Sequence, residues 1–447
     1  MRVGIVGGGI GGLTAGKVLH ENKIDFTLFE KEHQIGGHAI SEKITLPSGS
    51  EFYIDLGVFM YIPKYTHKKI DAWVKKCKLE QQETIIDHYF SNPSYGIPLS
   101  SLSSPLNYTH KPSYFSRSFL TDTLANFYTS LQGSYSETFE YSYERTKFAF
   151  MAMWIVRSPN FAGMSVAHFS KTYNFSRRFL DNYLLPFICC WWGGTAKEAL
   201  DSDIQIICDS FQIWTKIPYF IFSRGWQSLP LSIANNFGDK LHLNTPAKKV
   251  IKRKNKIVIE TEKKSYEFDH LIMAAPPGIA QKLLTHFPSD STSILDGYEH
   301  TTTRVYLHQD ESWMPRTGHQ PLLSFMQNKR GKYTTFWFGK FHPERPKYYL
   351  TWGEGIKKPP KDLLLTQDFY RILPNCIFQE RAKRYRSIQG RNQLWYCGAH
   401  VFYPKQANEI PSLWHGDAMY SGFKVGAKLA KLCYPEKTYR SLGETTC

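Results

Sequence analysis

The run Gly7-Gly8-Gly9-Ile10-Gly11-Gly12 has the residue types and the spacing to hold a pyrophosphate. It fits G-x-G-x-x-G at Gly7, Gly9 and Gly12, with Gly11 in the same turn. The first glycine allows a tight turn off a strand, the second lets the backbone approach the phosphates, and the third lets helix and strand pack closely. A helix starting there offers free N–H donors and a partial positive charge, worth roughly 0.3–2 kcal/mol toward an anion. Glu30 supplies a second group. Its carboxylate can accept from both hydroxyls of an adenosine ribose and would repel a 2′-phosphate, which disfavours NADP. A glycine-rich turn without a ligand has the same composition, so the surrounding elements must decide.

Those elements fit a nucleotide. Val3 to Val6 reads as a short apolar strand, Leu13 to Leu19 as a helix with small Ala15 and Gly16 on its packed side, and Ile24 to Phe29 as a second strand ending at Glu30. This is one βαβ half of a dinucleotide fold. The chain has 447 residues, too many for one core, and fits two domains sharing a cleft. From Tyr61 to Arg224 helical periods dominate, broken at Pro93, Pro98, Pro105, Pro112 and Pro159, with a Ser/Pro/Leu-rich loop over Pro98 to Pro105. Then Leu241 to Lys249, Lys256 to Glu262 and Tyr266 to Phe268 read as a strand meander, and His270 to Ala275 as a buried parallel strand. Arg304 to Leu307, Tyr333 to Phe338 and Tyr348 to Trp352 are strand-like. Leu394 to Gly398 followed by Met419 to Leu432 is again strand, turn, helix.

After Glu30-Lys31 comes Gln34-Ile35-Gly36-Gly37-His38. This resembles the second signature of flavoproteins of the amine oxidase and phytoene desaturase superfamily, an acidic strand end followed by RxGGR, with Gln34 and His38 in place of its arginines. Asp55-Leu56-Gly57 resembles that superfamily's D-x-G. Val250 stands where its adenine-contacting hydrophobic residue lies, and Leu271 to Pro277, through Ala275, resembles its strand beside the pyrophosphate. Ser223 to Leu229 resembles its re-entry segment. Leu394 to Ala399, with Gly398, resembles its last strand, and Gly416-Asp417-Ala418-Met419 up to Gly422 its final helix start. The resemblance implies FAD as cofactor, contacted at Gly7, Gly9, Gly11, Gly12, Glu30, Lys31, Gly36, Gly37, His38, Asp55, Gly57, Val250, Ala275, Gly398, Asp417, Ala418 and Met419. Asp55 to Tyr61, Tyr183 to Phe187, Ala199-Leu200 and Arg304 to Arg316 further resemble the branch linked to unsaturated fatty acyl modification. Asp55 to Tyr65 also resembles flavin-dependent polyunsaturated fatty acid isomerases.

The expected fold class is therefore α/β. A discontinuous Rossmann-like FAD domain would be formed by 1–60, 225–290 and 386–435. A second α+β substrate domain would comprise a mainly helical 61–224 and a sheet at 291–385. No catalytic constellation is legible, because a flavin needs only a C–H or C–N bond held in a dry pocket. Tyr61, Trp191, Trp192 and Trp337 are candidate pocket residues, with Trp352 beside them; each also suits an ordinary core. His38, His400 and His415 lie near the motifs and suit structural roles as well as chemistry. The favoured activity is hydride transfer from an apolar substrate, above all fatty acyl desaturation or isomerisation. An amine or amino-acid oxidase is the alternative, and a non-catalytic escort-type protein on the same fold is the rival of another class.

Lys and Arg number 55 against 39 Asp and Glu, a net charge of +16 that favours anionic partners. A lipid substrate and contact with a membrane surface fit it. Nucleic acid is not favoured, since no RNA-binding module is visible. Lys248-Lys249 and Lys252-Arg253-Lys254 read as a charged hairpin edge. The cysteines show no metal or disulfide spacing, and no metal is expected. The most apolar run, Phe148 to Val156, is far shorter than the roughly 20 residues of a spanning helix. A cytoplasmic protein, peripheral at a membrane at most, is expected.

Overall fold

Val3, Ile5 and Val6 are buried because their strand, Arg2–Val6 (β1), runs through the centre of a parallel five-stranded sheet. The computed structural model describes residues 1–62, 68–84, 88–90, 99–100, 137–214, 219–316, 320–404 and 409–435. Most of Pro98 to Pro105, and Pro63 to Tyr65, lie outside them. After β1 come helix Ile10–Glu21 (α1), Asp25–Phe29 (β2), Leu241–His242 (β3), His270–Met273 (β4), Leu394–Tyr396 (β5) and helix His415–Cys433 (α2). The sheet order is β5-β4-β1-β2-β3. Val3 lies opposite His270 and Arg2 opposite Asp25, so strands far apart in sequence complete the first βαβ unit.

Alternation along β1 sorts its two faces. Val3 and Ile5 join one core with Leu13, Val18 and Met419 of the helices. Val6 joins a second core with Val250, Ile259 and Phe268 of an antiparallel three-stranded sheet, Ala247–Arg253, Lys256–Thr261 and Ser265–Phe268. Gly4 makes that layer possible, since a Cβ there would stand 2.8 Å from both Ile259 and Phe268. The expected strand Leu241 to Lys249 is in fact split. Asn244 takes a positive φ of 48°, so Leu241–His242 stays with the parallel sheet while Ala247 starts the other. The charged hairpin lies where expected, with Ala247–Arg253 an outer strand and Lys254 in the turn.

The chain divides into two compact units, one formed by Met1–Thr84, Pro218–His300 and Ile377–Cys447, the other by Ile85–Ile217 and Thr301–Cys376. The first unit reaches past residue 60 because Gln81–Thr84 pairs with Tyr219–Phe222. It takes in the helix Phe378–Ile388 because Phe378 and Tyr385 are buried against Tyr298. The second unit is α+β. Its seven-stranded sheet runs Leu363–Ile372, His300–His308, Tyr349–Glu354, Gly331–Trp337, Leu323–Asn328, His88–Phe90, Leu99–Ser100. Its helices include Glu137–Ile155, Val166–Thr172, Leu185–Trp192 and Ile204–Trp214.

Among the described residues no helix is long and apolar enough to cross a membrane, and no cluster of three or more His, Cys, Asp or Glu could hold a metal. Cys189, Cys190, Cys208, Cys376, Cys397 and Cys433 are free thiols, whereas Cys77 is disulfide-bonded, which the cysteine spacing does not signal. Burial pushes the Cys189 thiol up to about 12, so it stays neutral rather than forming a reactive pair with Cys190.

Candidate functional site: a nucleotide cradle and an apolar cleft

The glycine turn is folded as its residue types require. Gly7 has φ 112°, and a Cβ there would stand 3.0 Å from the Ala274 carbonyl, which places Ala275 beside the turn. At Gly12 a Cβ would be 2.1 Å from the Gly7 oxygen. Gly9 differs. Its φ of −71° suits any residue, and a Cβ would meet nothing within 4 Å. It caps α1 with no side chain, and no acidic residue stands in the first turn. An open, uncapped helix start of this kind fits a phosphate.

Three further elements close on this turn. Glu30, at the end of β2, is 8% exposed, and its carboxylate accepts from Gly8 N at 2.7 Å and Glu32 N at 3.0 Å. It therefore braces the turn. Gly36 donates from its N–H to the Gly8 carbonyl at 2.9 Å, and a Cβ on Gly37 would lie 3.2 Å from Gly9 Cα. The second glycine pair is thus packed on the first. In the first turn of α1, a Cβ on Gly11 would stand 3.1 Å from both Gly398 N and the Ala418 carbonyl. Ser421 Oγ accepts from Gly398 N at 2.9 Å, tying the end of β5 to α2. Trp414 caps α2 without a side-chain bond.

Several expected contacts have other partners. The Lys31 ammonium pairs with Glu32. His38 is exposed and Gly57 half-buried just after Glu51–Asp55. Val250 is fully buried in its outer strand, so only its backbone is available to an adenine. Asp417 Oδ2 accepts from Ser412 N at 3.0 Å and Oγ at 2.7 Å, bracing the loop before α2. Met419 is wholly buried in the core. Gln34 Oε1 accepts from Gln227 of the re-entry segment at 2.9 Å, which gives this departure from RxGGR a structural use.

Asp55 is the clearest change of role. It is 3% exposed, and Oδ1 accepts from Ser41 Oγ at 2.5 Å and Trp226 N at 2.7 Å. It clamps the re-entry segment, where Gly225 adopts φ 71°. Burial raises its pKa to about 7, against the two hydrogen bonds that lower it. A carboxyl that keeps its proton in the folded state while the unfolded chain releases it makes stability fall as pH rises from about 4 to 7. Asp55→Asn, which keeps an acceptor and never ionises, is expected to flatten that fall and raise Tm at pH 8 by about 2 °C or more. Melting curves of both proteins between pH 5 and 8 check this; parallel pH profiles would refute it.

Tyr61 is 1% exposed and donates to Asp71 Oδ1 at 2.8 Å, so it is core rather than pocket lining. It belongs to an aromatic group that the sequence did not reveal, with Phe222, Trp226 and His415. His415, the first residue of α2, has its ring 4.7 Å from that of Trp226. Burial pushes its pKa down to about 3, so it is neutral at working pH. His400 is likewise pushed to about 3, packed on Tyr298 and Tyr385.

The second unit holds a small cleft of its own, about 50 Å³. Pro186 has no N–H and sits at the start of Leu185–Trp192, just after the wide π turn Leu180–Leu184. That turn brings Asp181 and Asn182 to the cleft beside Leu185 and Cys189; Phe325, Tyr333 and Trp352 of the sheet form the opposite wall. Asp181 is paired with Arg177, and Glu354, also at the cleft, accepts from Ala196 N at 2.9 Å. Trp191, Trp192 and Trp337 are not in this lining. Trp192 is buried, the Trp191 carbonyl accepts from Arg371, and Trp337 donates to the Pro346 carbonyl within a small core with Met314 and Tyr349.

A Rossmann-like sheet with two glycine signatures and two uncapped helix starts on one cradle defines a dinucleotide-binding flavoprotein. The chain belongs to the flavin-containing amine oxidoreductase family, which it matches over residues 10–347. It is 24% identical over 375 residues to a 4,4'-diapophytoene desaturase (4,4'-diaponeurosporene-forming) of Staphylococcus haemolyticus (strain JCSC1435), covering 78% of this chain and 71% of the relative. Its fold resembles cyclohexylamine oxidase from Brevibacterium oxydans IH-35A, with a TM-score of 0.65, 14% identity, and 97% and 99% of the two chains covered. It also resembles a CLA-producing fatty acid isomerase from P. acnes, with a TM-score of 0.59, 15% identity, and 95% and 98% covered. The protein is an FAD-dependent oxidoreductase.

Proposed function

We propose that the enzyme acts on an unsaturated fatty acyl chain, by desaturation or isomerisation. The observation that carries this reading is the apolar wall of the small cleft of the second unit, Leu185, Pro186, Phe325, Met326, Tyr333 and Trp352, against which part of an acyl chain can lie, with Asp181, Asn182, Gln327, Lys332, Thr334 and Glu354 lining the rest. The relatedness to a desaturase and the fold likeness to a fatty acid isomerase support it. When bound, the flavin supplies a hydride acceptor for a C–H bond of the substrate.

The chain's own residues do the holding. The start of α1 at Gly9 would hold the pyrophosphate, Glu30 would accept from the adenosine ribose with the lone pairs left by Gly8 and Glu32, and the Val250 backbone would border the adenine. The start of α2 at His415 and Gly416 lies beside Gly398 and Ala418, a second positive helix end for the same cofactor. Neutral His415, Trp226 and Tyr61 keep this end dry.

Amine oxidation is the second reading, favoured by the Asp181 and Glu354 carboxylates at the same cleft, which could receive an ammonium. The deciding measurement is the visible spectrum of the anaerobic enzyme as free polyunsaturated fatty acids, and separately small primary amines, are added. Bleaching by fatty acids alone is the expected result. Bleaching by amines alone would overturn the acyl reading in favour of the other.

A further inference from the structure

The helix Glu137–Ile155 is apolar on two opposite sides. Inward, Phe148, Ala152 and Ile155 are wholly buried, and the Phe148 ring packs 5.2 Å from Phe211 and 5.6 Å from Phe179. Outward, Tyr143, Phe150, Met153 and Trp154 are 58%, 50%, 38% and 52% exposed. At 3.6 residues per turn these positions fall within an arc of about 100°. The inward side already explains how the helix packs, so the outward stripe needs another reason.

From Tyr141 onward the charge near the stripe is almost wholly basic. From Tyr141 to Arg178 the basic residues are Arg145, Lys147, Arg157, Lys171, Arg177 and Arg178, and the sole acidic one is Glu144. Glu144 is buried and accepts from Ser176 N and Oγ, so it adds no negative charge to the surface. The acidic Glu137 and Glu140 lie in the first turn of the helix, ahead of Tyr143, and Arg177 is paired with Asp181. Arg157 continues the outward stripe, exposed, with Nη1 donating to the Met153 carbonyl at 2.6 Å. Lys147 donates to the Tyr173 carbonyl, beside exposed Lys171.

We propose that this stripe docks the protein on an anionic lipid bilayer. Aromatic and aliphatic side chains at the acyl boundary, flanked by Lys and Arg at headgroup level, are what such an interface selects. A protein partner matched to the aromatic stripe would have to present an acidic rim as well; a bilayer with anionic headgroups offers both chemistries at once. The purpose of docking, access to membrane-borne acyl chains, rests on the acyl reading above, while the docking itself is measured without turnover.

The test uses full-length, flavin-loaded protein sedimented with vesicles of phosphatidylcholine alone, or of equal parts phosphatidylcholine and phosphatidylglycerol. The wild type is expected to bind the mixed vesicles and to be released by salt. Met153→Ser/Trp154→Ser is expected to weaken binding roughly tenfold or more, with the flavin spectrum unchanged. Because Trp154 packs on Phe161 with ring centroids 4.8 Å apart, a second variant, Tyr143→Ser/Arg157→Glu, leaves that contact in place and should also lose binding. Wild type that sediments with neither vesicle, or variants that bind as the wild type does, would overturn the proposal. So would a wild-type dimer in sedimentation velocity that the variants lose, since the stripe would then cover a second copy. Vesicle binding without any flavin response to fatty acids leaves the docking standing and overturns only the acyl substrate.

Discussion

Gly9→Ala is expected to give a protein that folds with unchanged stability and no longer retains FAD. The two halves of that result come from different observations. Nothing within the chain requires glycine at this position, because φ is −71° and a Cβ would meet no atom within 4 Å. Exposed Gly→Ala exchanges at compatible φ/ψ are neutral or mildly stabilising. If the open space ahead of Gly9 receives the pyrophosphate, as proposed, a methyl there would hold the phosphates off the N–H groups of α1. A loss of about 3 kcal/mol corresponds to roughly a hundredfold weaker FAD binding. Titration of the apo-protein with FAD, beside thermal melts of both apo-proteins, checks the prediction. Full FAD affinity in the variant would show that the phosphates do not lie against Gly9.

Gly422→Ala is the opposite case. This glycine lies on α2, two turns in, and an added Cβ would be 2.1 Å from the Gly11 carbonyl oxygen and 3.1 Å from Ala15 N. Both are backbone atoms of α1, so no side chain can turn aside. The helices must separate, which strains the packing of Leu13, Val18, Met419 and Val425. Overpacking of this kind costs about 3 kcal/mol or more. The same displacement moves Gly398 and Ala418 away from Gly11, so flavin retention falls together with stability. Denaturant unfolding and the ratio of flavin to protein absorbance measure the two effects; a stable, fully yellow Gly422→Ala protein would refute the close approach of α1 and α2.

The nucleotide half of the fold was legible because its signals are local. Gly7, Gly12 and Gly36 are needed where backbone meets backbone, and such places leave glycine in the sequence. The strands Val3 to Val6 and His270 to Ala275 are apolar on both faces because both are covered. The seven-stranded order was not legible, since Leu363–Ile372 at its edge is only partly buried and alternates weakly, and its pairing is set by partners distant in sequence. Asp55 was read as a cofactor contact from its motif; its bonds to Ser41 and Trp226 span gaps no motif reports. The tryptophans show the limit most plainly. Bulk identifies Trp192, Trp337 and Trp352 alike as buried, and only the three-dimensional packing puts Trp352 at the cleft.

The order of strands has a consequence for the protein's birth. β1 leaves the ribosome long before its neighbour β4, residues 270–273, and the outer strand β5, residues 394–396. At roughly 5–20 residues per second, on the order of 20–80 s separate β1 from β5. Throughout that interval the first βαβ unit has an open edge and a half-built core, with α2 not yet made to cover α1. Coenzyme capture therefore waits for α2, and the nascent chain must be kept from pairing its open edge with others until that helix is released.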